Sequence, residues 1–146
     1  METMFAGAGD WGLLILRLAL GIIFPFHGWL KVDPKGPVKG PAGFAVGLKQ
    51  MGVPLPLFFA WVVVLLETVG AGLLILGLGT RILALGFAID MLMAIVLVRR
   101  GMQKARFMDP QGGGWEFEFA MMSAALGLLF TGPGAISLDA AFGLGP

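Results

Sequence analysis

Of the six ionisable side chains inside long apolar segments of this sequence, five are the groups that could carry chemistry. They are Arg17, His27, Glu67, Asp90 and Glu118. A charge at the centre of a bilayer costs about 2.5–3.5 kcal/mol on insertion scales, so such a group pairs, holds a proton or faces a polar cavity. Arg17 is the cation that we expect to reach Glu67. A purely structural alternative stays open, since buried pairs also fix helix register without any reaction.

His27 and Glu118 are expected nearer to one face of the bundle. An imidazole titrates near neutral pH and can exchange a proton with a lipophilic ligand; alternatively, His27 bonds a backbone carbonyl beside the interfacial Trp29. Glu116 and Glu118 are two residues apart and point to nearly opposite sides of a helix. We expect Glu118 to face the bundle and Glu116 to lie at a helix N-terminus, where negative charge is favoured.

The composition excludes several cofactor classes. The chain has no cysteine and one histidine, which excludes disulfides, thiolate metal sites and a haem held by two histidines of one copy. The carboxylates lack the Glu-x-x-His pairs of a di-metal site. We predict no metal, haem or flavin cofactor. A net charge of +1 gives no field that would attract nucleic acid.

The candidate residues are carried by four apolar segments in a chain that is 58% hydrophobic and 13% charged. The segments cover about 11–30, 57–78, 82–98 and 115–131. Roughly 20 residues cross a ~30 Å hydrocarbon core, and about 17 is the lower limit. The sequence therefore predicts an all-α integral membrane four-helix bundle, in the lipid bilayer, with a single domain over residues 1–146.

The connections between these segments predict further elements. Segments two and three are separated only by residues 79–81, which predicts an antiparallel hairpin. In the first loop, apolar residues such as Phe44 and Leu48 recur at helical spacing over 42–51, which predicts a short amphipathic helix at the membrane interface. The glycine- and alanine-rich tail after Gly132 predicts little regular structure.

The basic residues predict the orientation. The connections 31–56 and 99–114 each carry four Lys or Arg residues, and the opposite side carries only Arg81. Positive charge favours the cytoplasmic side. We therefore expect a multi-pass protein of the inner or plasma membrane with both termini outside the cytoplasm.

Several motifs, in their order and spacing, resemble the DoxX family over nearly the whole chain. They are Arg17-Leu18-Ala19-Leu20-Gly21 with Phe24, His27-Gly28-Trp29 with Lys31, Gly43-Phe44, Gly52 and Pro54, Leu66-Glu67-Thr68-Val69-Gly70-Ala71-Gly72-Leu73 with Leu76-Gly77 and Thr80-Arg81, Glu116 or Glu118, and Gly132-Pro133-Gly134 with Ser137-Leu138-Asp139. Arg17, His27 and Glu67 match the polar positions of that family. Asp90 has no counterpart in its pattern.

The resemblance implies a four-helix membrane bundle linked to quinone redox chemistry, because the family is related to the membrane subunit of thiosulfate:quinone oxidoreductase. The expected function is a quinone-interacting subunit of a membrane redox system, with a pocket formed by Arg17, His27, Glu67, Asp90 and Glu118 and electrons supplied by a partner subunit or a bound cofactor. The alternatives are a non-catalytic accessory or anchoring subunit and a small proton-coupled transporter. Expected partners are other membrane or redox subunits, or further copies of the chain.

Overall fold

The computed structural model describes residues 7–109 and 113–144, and every regular element in these ranges is helical. In chain order the helices are α1 (Ala8–Val32), α2 (Gly40–Gln50), α3 (Pro56–Leu76), α4 (Thr80–Met102), α5 (Glu116–Thr131) and α6 (Leu138–Ala141). The core between α1, α3, α4 and α5 is apolar and includes Leu20, Phe24, Leu74, Phe87 and Leu128. The predicted all-helical membrane bundle is confirmed.

Three helices of the described ranges, α1, α3 and α4, are long and apolar enough to cross a membrane. Helix α5 has 16 residues, about 24 Å at 1.5 Å per residue, which is short for a ~30 Å hydrocarbon core. It lies against α4, where Arg81 at the start of α4 donates to the carbonyl of Leu129 near the end of α5. That α5 crosses the membrane as a fourth span stays a prediction.

The predicted hairpin between the second and third apolar segments is present. Helix α3 ends at Leu76 and α4 begins at Thr80. Gly77 and Gly79 between them have φ of +69° and +67°, the left-handed region that glycine enters without steric cost. These two glycines therefore allow the chain to reverse within three residues.

Helix α2 confirms that the first loop contains a short helix. The prediction began at Ala42 and ended at Met51, whereas the helix covers Gly40–Gln50. Its residues Ala45 and Leu48 pack with Ala60 of α3 in a small second core. The position of α2 at the membrane interface stays a prediction.

The tail after Gly132, which is expected to be partly ordered at best, is ordered over its described part and bonded to the bundle. Asp10 Oδ1 accepts a hydrogen bond from the backbone of Ala135 at 2.7 Å. Residues Leu138–Ala141 form α6, and the Asp139 carboxylate accepts hydrogen bonds from the backbone N–H groups of Gly79 (2.7 Å) and Thr80 (2.8 Å). Asp139 thus caps the start of α4, where orphan N–H groups and the helix dipole favour a negative charge.

Cysteine labelling tests whether α5 crosses the membrane and which way the protein is oriented. The chain has no cysteine, so only the introduced residue is labelled. We expect Lys104→Cys to react with a membrane-impermeant maleimide only after the membrane is permeabilised and the reagent reaches the cytoplasmic side. We expect Phe142→Cys, which replaces an exposed side chain, to react in intact cells. Labelling of both positions from the same side would mean that α5 does not cross the membrane.

The Asp139 cap predicts a pH-dependent contribution to stability. Burial alone would raise the pKa of Asp139, but hydrogen bonds from Thr80 and Gly79 and the charge of Arg17 hold that pKa below its ordinary value of 3.8. A lowered pKa stabilises the folded state above the unfolded pKa, and this stabilisation is lost as pH falls through the folded pKa. We expect Asp139→Ala to cost about 1–2 kcal/mol at pH 7.

The measurement is thermal unfolding in detergent of the parent protein and Asp139→Ala between pH 7 and about pH 2.5. The difference in midpoint should be constant above pH 5 and should shrink below pH 4. A difference that keeps its full size at the acid end would show that the carboxylate charge contributes nothing.

Candidate functional site

An ion pair between α1 and α3 forms the centre of the candidate site. The Nζ atom of Lys31 lies 2.5 Å from Oε1 of Glu67 and donates to both carboxylate oxygens. The Glu67 side chain is 1% exposed and that of Lys31 is 20% exposed. The Lys31 ammonium also lies 5.2 Å from the ring centre of Phe44 on α2. A long lysine stem thus brings a cation from the last turn of α1 to a carboxylate inside the bundle.

Local backbone structure presents Glu67 to this lysine. Residues Leu66–Gly70 form a π-helical turn within α3, and such turns occur often at functional sites. Helix α1 approaches this turn closely at Gly28, where an added Cβ atom would lie 2.8 Å from Cγ2 of Thr68 and 3.0 Å from Cβ of Glu67. At this distance between the helices, only glycine fits at position 28 without a shift of its neighbours on α3.

A second carboxyl group, that of Asp90 on α4, lies beside Glu67. Its Oδ2 atom is buried and accepts no hydrogen bond from a described residue. Lys31 forms its ion pair with Glu67, and Asp90 lies beside that carboxylate without an ion pair to a described cation. The cluster carries either an excess negative charge or a proton on one of its carboxyl groups, and in both cases it can exchange a proton.

His27 and Glu118 lie on the other side of the ion pair. The exposed His27 ring stacks on Phe117 at 5.8 Å between ring centres, and its Nδ1 lies 3.2 Å from the carbonyl oxygen of Ile23. Glu118 is buried and forms an ion pair with Arg99, Nε to Oε1 at 2.6 Å. Glu116 is exposed, so the expected opposite orientation of the two glutamates is confirmed.

Two cavities flank the Lys31–Glu67 pair. The first, which we name the histidine cavity, has a volume of about 100 Å³ and is lined by His27, Lys31, Glu67 and Glu118 together with apolar residues. The second, which we name the α2 cavity, has a volume of about 140 Å³, lies beneath α2 and is lined by Lys31, Glu67, Asp90 and apolar residues. The ion pair is therefore part of the wall that the two cavities share, together with Met91 and Ala94 of α4.

The expected pairing of Arg17 with Glu67 is wrong. Arg17 is fully buried and donates to the carbonyl oxygen of Ile136 in the tail, and it lies against Gly77. Gly77 is ten residues from Glu67 along α3, about 15 Å at 1.5 Å per residue. The structure therefore places Arg17 at the C-terminal end of α3, away from the cluster of His27, Glu67, Asp90 and Glu118.

Lys31 and Arg99 are the site residues that sequence reasoning missed. Both lie at the ends of apolar segments, where their position in the sequence indicates loop charges that orient the protein, and Lys31 also belongs to a motif of the family resemblance. The available signal was spacing, because Lys31 is four residues after His27 and thus on the same helical face. Among the described residues, no three His, Asp or Glu side chains are grouped as metal ligands would be.

Comparison with known proteins places the chain in a family. The DoxX family model matches residues 12–100. "Putative oxidoreductase CatD" of Bacillus subtilis (strain 168) is 34% identical over 88% of this chain and 84% of its own length. "Uncharacterized membrane protein Rv3486" of Mycobacterium tuberculosis is 35% identical over 90% and 81%.

A third relative is "Inner membrane protein YphA" of Escherichia coli (strain K12), which is 32% identical over 87% of both chains. No solved structure matches the chain significantly. The family match contains Lys31, Glu67 and Asp90 and ends just after Arg99. Since the family model covers more than half of the sequence and these relatives cover most of it, the chain belongs to the DoxX family of membrane proteins.

Proposed function

We propose that this protein is a quinone-interacting subunit of a redox system in the cell membrane. The observation that carries the proposal is the buried Lys31–Glu67–Asp90 cluster between two cavities inside a membrane bundle. Intramembrane ionisable groups that line a cavity mark ligand or proton pathways more often than packing. The name of the Bacillus subtilis relative, "Putative oxidoreductase CatD", supports the same class of function.

The cluster offers what a benzoquinone ring requires. A quinone carbonyl accepts hydrogen bonds, whereas a quinol hydroxyl donates one and accepts others. Lys31 and His27 provide donors, and Glu67, Asp90 and Glu118 provide acceptors. The apolar residues of both cavities would surround the ring and chain of such a ligand, as in other small-molecule sites.

The proton and electron requirements follow from the residues present. Reduction of a quinone takes two electrons and two protons, and the carboxyl groups and His27 can supply the protons. The chain has no cysteine and one histidine, so we assign the electrons to a redox partner protein with a flavin or metal centre. Such a partner would dock on the face that we expect to be cytoplasmic, next to the exposed His27 and the Arg99–Glu118 pair.

The test is organic extraction of the protein purified in mild detergent, followed by mass spectrometry of the extract. We expect about one quinone per chain from the parent and little from the Glu67→Gln, His27→Ala double variant. The matched control is Glu116→Gln, which makes the same chemical change at an exposed position, and it should retain the quinone. Absence of quinone from all three proteins would overturn a tight site.

The accessory-subunit function is the second candidate, because a specific observation favours it. Lys31 is already paired with Glu67, and Arg99 is already paired with Glu118, as expected of groups that only hold helices together. Under this alternative, Glu67→Gln would reduce co-purification with larger subunits and leave turnover per assembled complex unchanged. A loss of turnover in fully assembled complexes would favour the quinone site instead.

A further inference from the structure

The α2 cavity has an apolar body and a polar end. Its apolar walls include Phe44, Leu48 and Met51 on the α2 side and Val63 and Leu97 on the side of the bundle. Its charged lining residues lie together at the Lys31–Glu67 pair. A ligand that fills the cavity therefore needs an apolar body and a polar group at one end, as a lipophilic quinone or quinol has.

The polar end has more acceptors than donors. The ammonium of Lys31 donates to both oxygens of Glu67, so its charge is already matched. Asp90 is a second carboxyl group, and no described cation forms an ion pair with it. Its buried Oδ2 lacks a hydrogen-bond donor. A buried acceptor without a donor is costly, and a ligand that supplies the donor removes that cost.

The two oxidation states of a quinone differ in what they offer to this acceptor. Ring and chain are shared, so the apolar walls of the cavity do not distinguish the two forms. A hydroxyl group can donate to Asp90, whereas a carbonyl oxygen would place a second acceptor against it. Asp90 is therefore the residue that distinguishes the two oxidation states of the ligand.

We propose that the α2 cavity binds the reduced, hydroxyl-bearing form of a lipophilic quinone, and that Asp90 is the residue that selects this form. The inference rests on the proposed function and deepens it by naming the oxidation state that the site prefers. In this arrangement the ligand hydroxyl lies at the Lys31–Glu67 pair, and the chain of the ligand extends beneath α2.

The test compares the affinity of the whole protein, in oxygen-free detergent solution, for a benzoquinone with a short alkyl chain and for the same compound reduced to its hydroquinone. Equilibrium dialysis gives both dissociation constants. We expect the parent protein to bind the hydroquinone at least about tenfold more tightly, because only this form supplies the donor that Oδ2 of Asp90 lacks. Asp90→Val should bring the two affinities together, and Asp90→Asn should reduce the preference. Glu116→Gln, at an exposed position, should leave the preference intact.

A substitution that fills the α2 cavity tests whether the ligand binds there. Val63 lines the α2 cavity and does not line the histidine cavity, so Val63→Phe should weaken binding of both forms if the α2 cavity is the site. Equal affinities in the parent, a preference that survives Asp90→Val, or unchanged binding in Val63→Phe would overturn the inference and leave the proposed function standing. Absence of binding of either form to any folded variant or the parent would overturn both.

Discussion

Replacing Lys31 by methionine is expected to destabilise the folded protein by about 3 kcal/mol and to remove bound quinone. Loss of one partner of a buried ion pair costs about 3–5 kcal/mol, because the other charge stays buried without compensation. Glu67 is 1% exposed and Lys31 is 20% exposed, which places the cost near the lower end of this range. Thermal or denaturant unfolding in detergent measures the stability, and organic extraction measures the quinone.

The double variant Lys31→Met, Glu67→Leu separates stability from function. Replacing both partners of a buried pair by apolar residues of similar volume is often neutral or stabilising, so most of the lost stability should return. The quinone should stay absent, because donor and acceptor are both gone. The single variants Lys31→Met and Glu67→Leu are measured beside it. If the double variant loses as much stability as the two single variants lose in sum, the two side chains are not energetically coupled.

The effect of Lys31→Met should also depend on pH. Protonation of the unpaired carboxyl group removes its buried charge, so the variant should lose less stability in acid than at neutral pH. The double variant has no such carboxyl group at position 67 and should show a smaller dependence. The pH profile thus tests whether the destabilisation comes from an uncompensated charge or from lost packing of the lysine stem.

The all-helical architecture could be predicted from the sequence, and four of the five candidate residues lie together in the structure. Apolar runs are long enough to identify as helices, and ionisable residues such as Glu67 and Asp90 stand out within them because burial of charge is costly. The two-residue spacing of Glu116 and Glu118 also predicted which one faces the bundle, since helical geometry fixes relative direction.

The partners of these residues could not be predicted, because they depend on helix tilt and side-chain reach. Depth alone predicts that Arg17 pairs with Glu67, yet the antiparallel packing of α1 on α3 places Arg17 against Gly77. Lys31 reaches Glu67 only because its long stem extends from the end of α1. The cap that Asp139 forms on α4 joins residues about 60 positions apart, and no local pattern encodes that contact.

The close approach of α1 to α3 gives the second large prediction, because it fixes the distance from Lys31 to Glu67. An added Cβ at Gly28 would lie 2.8 Å from Thr68 and 3.0 Å from Glu67, and one at Gly21 would lie 2.9 Å from the carbonyl oxygen of Ala71. Small residues permit such contact between membrane helices. Gly28→Ala must therefore displace α1 from the π-helical turn that carries Glu67.

We expect Gly28→Ala to cost about 1–3 kcal/mol of stability, as overpacking of a tight interface does, and to weaken quinone binding more than this loss of stability would explain. The matched control is Gly72→Ala on α3, where an added Cβ meets nothing within 4 Å and alanine favours the helix over glycine. That control should unfold at the parent temperature or above it. If Gly28→Ala unfolds like Gly72→Ala and retains its quinone, close helix contact does not position the Lys31–Glu67 pair.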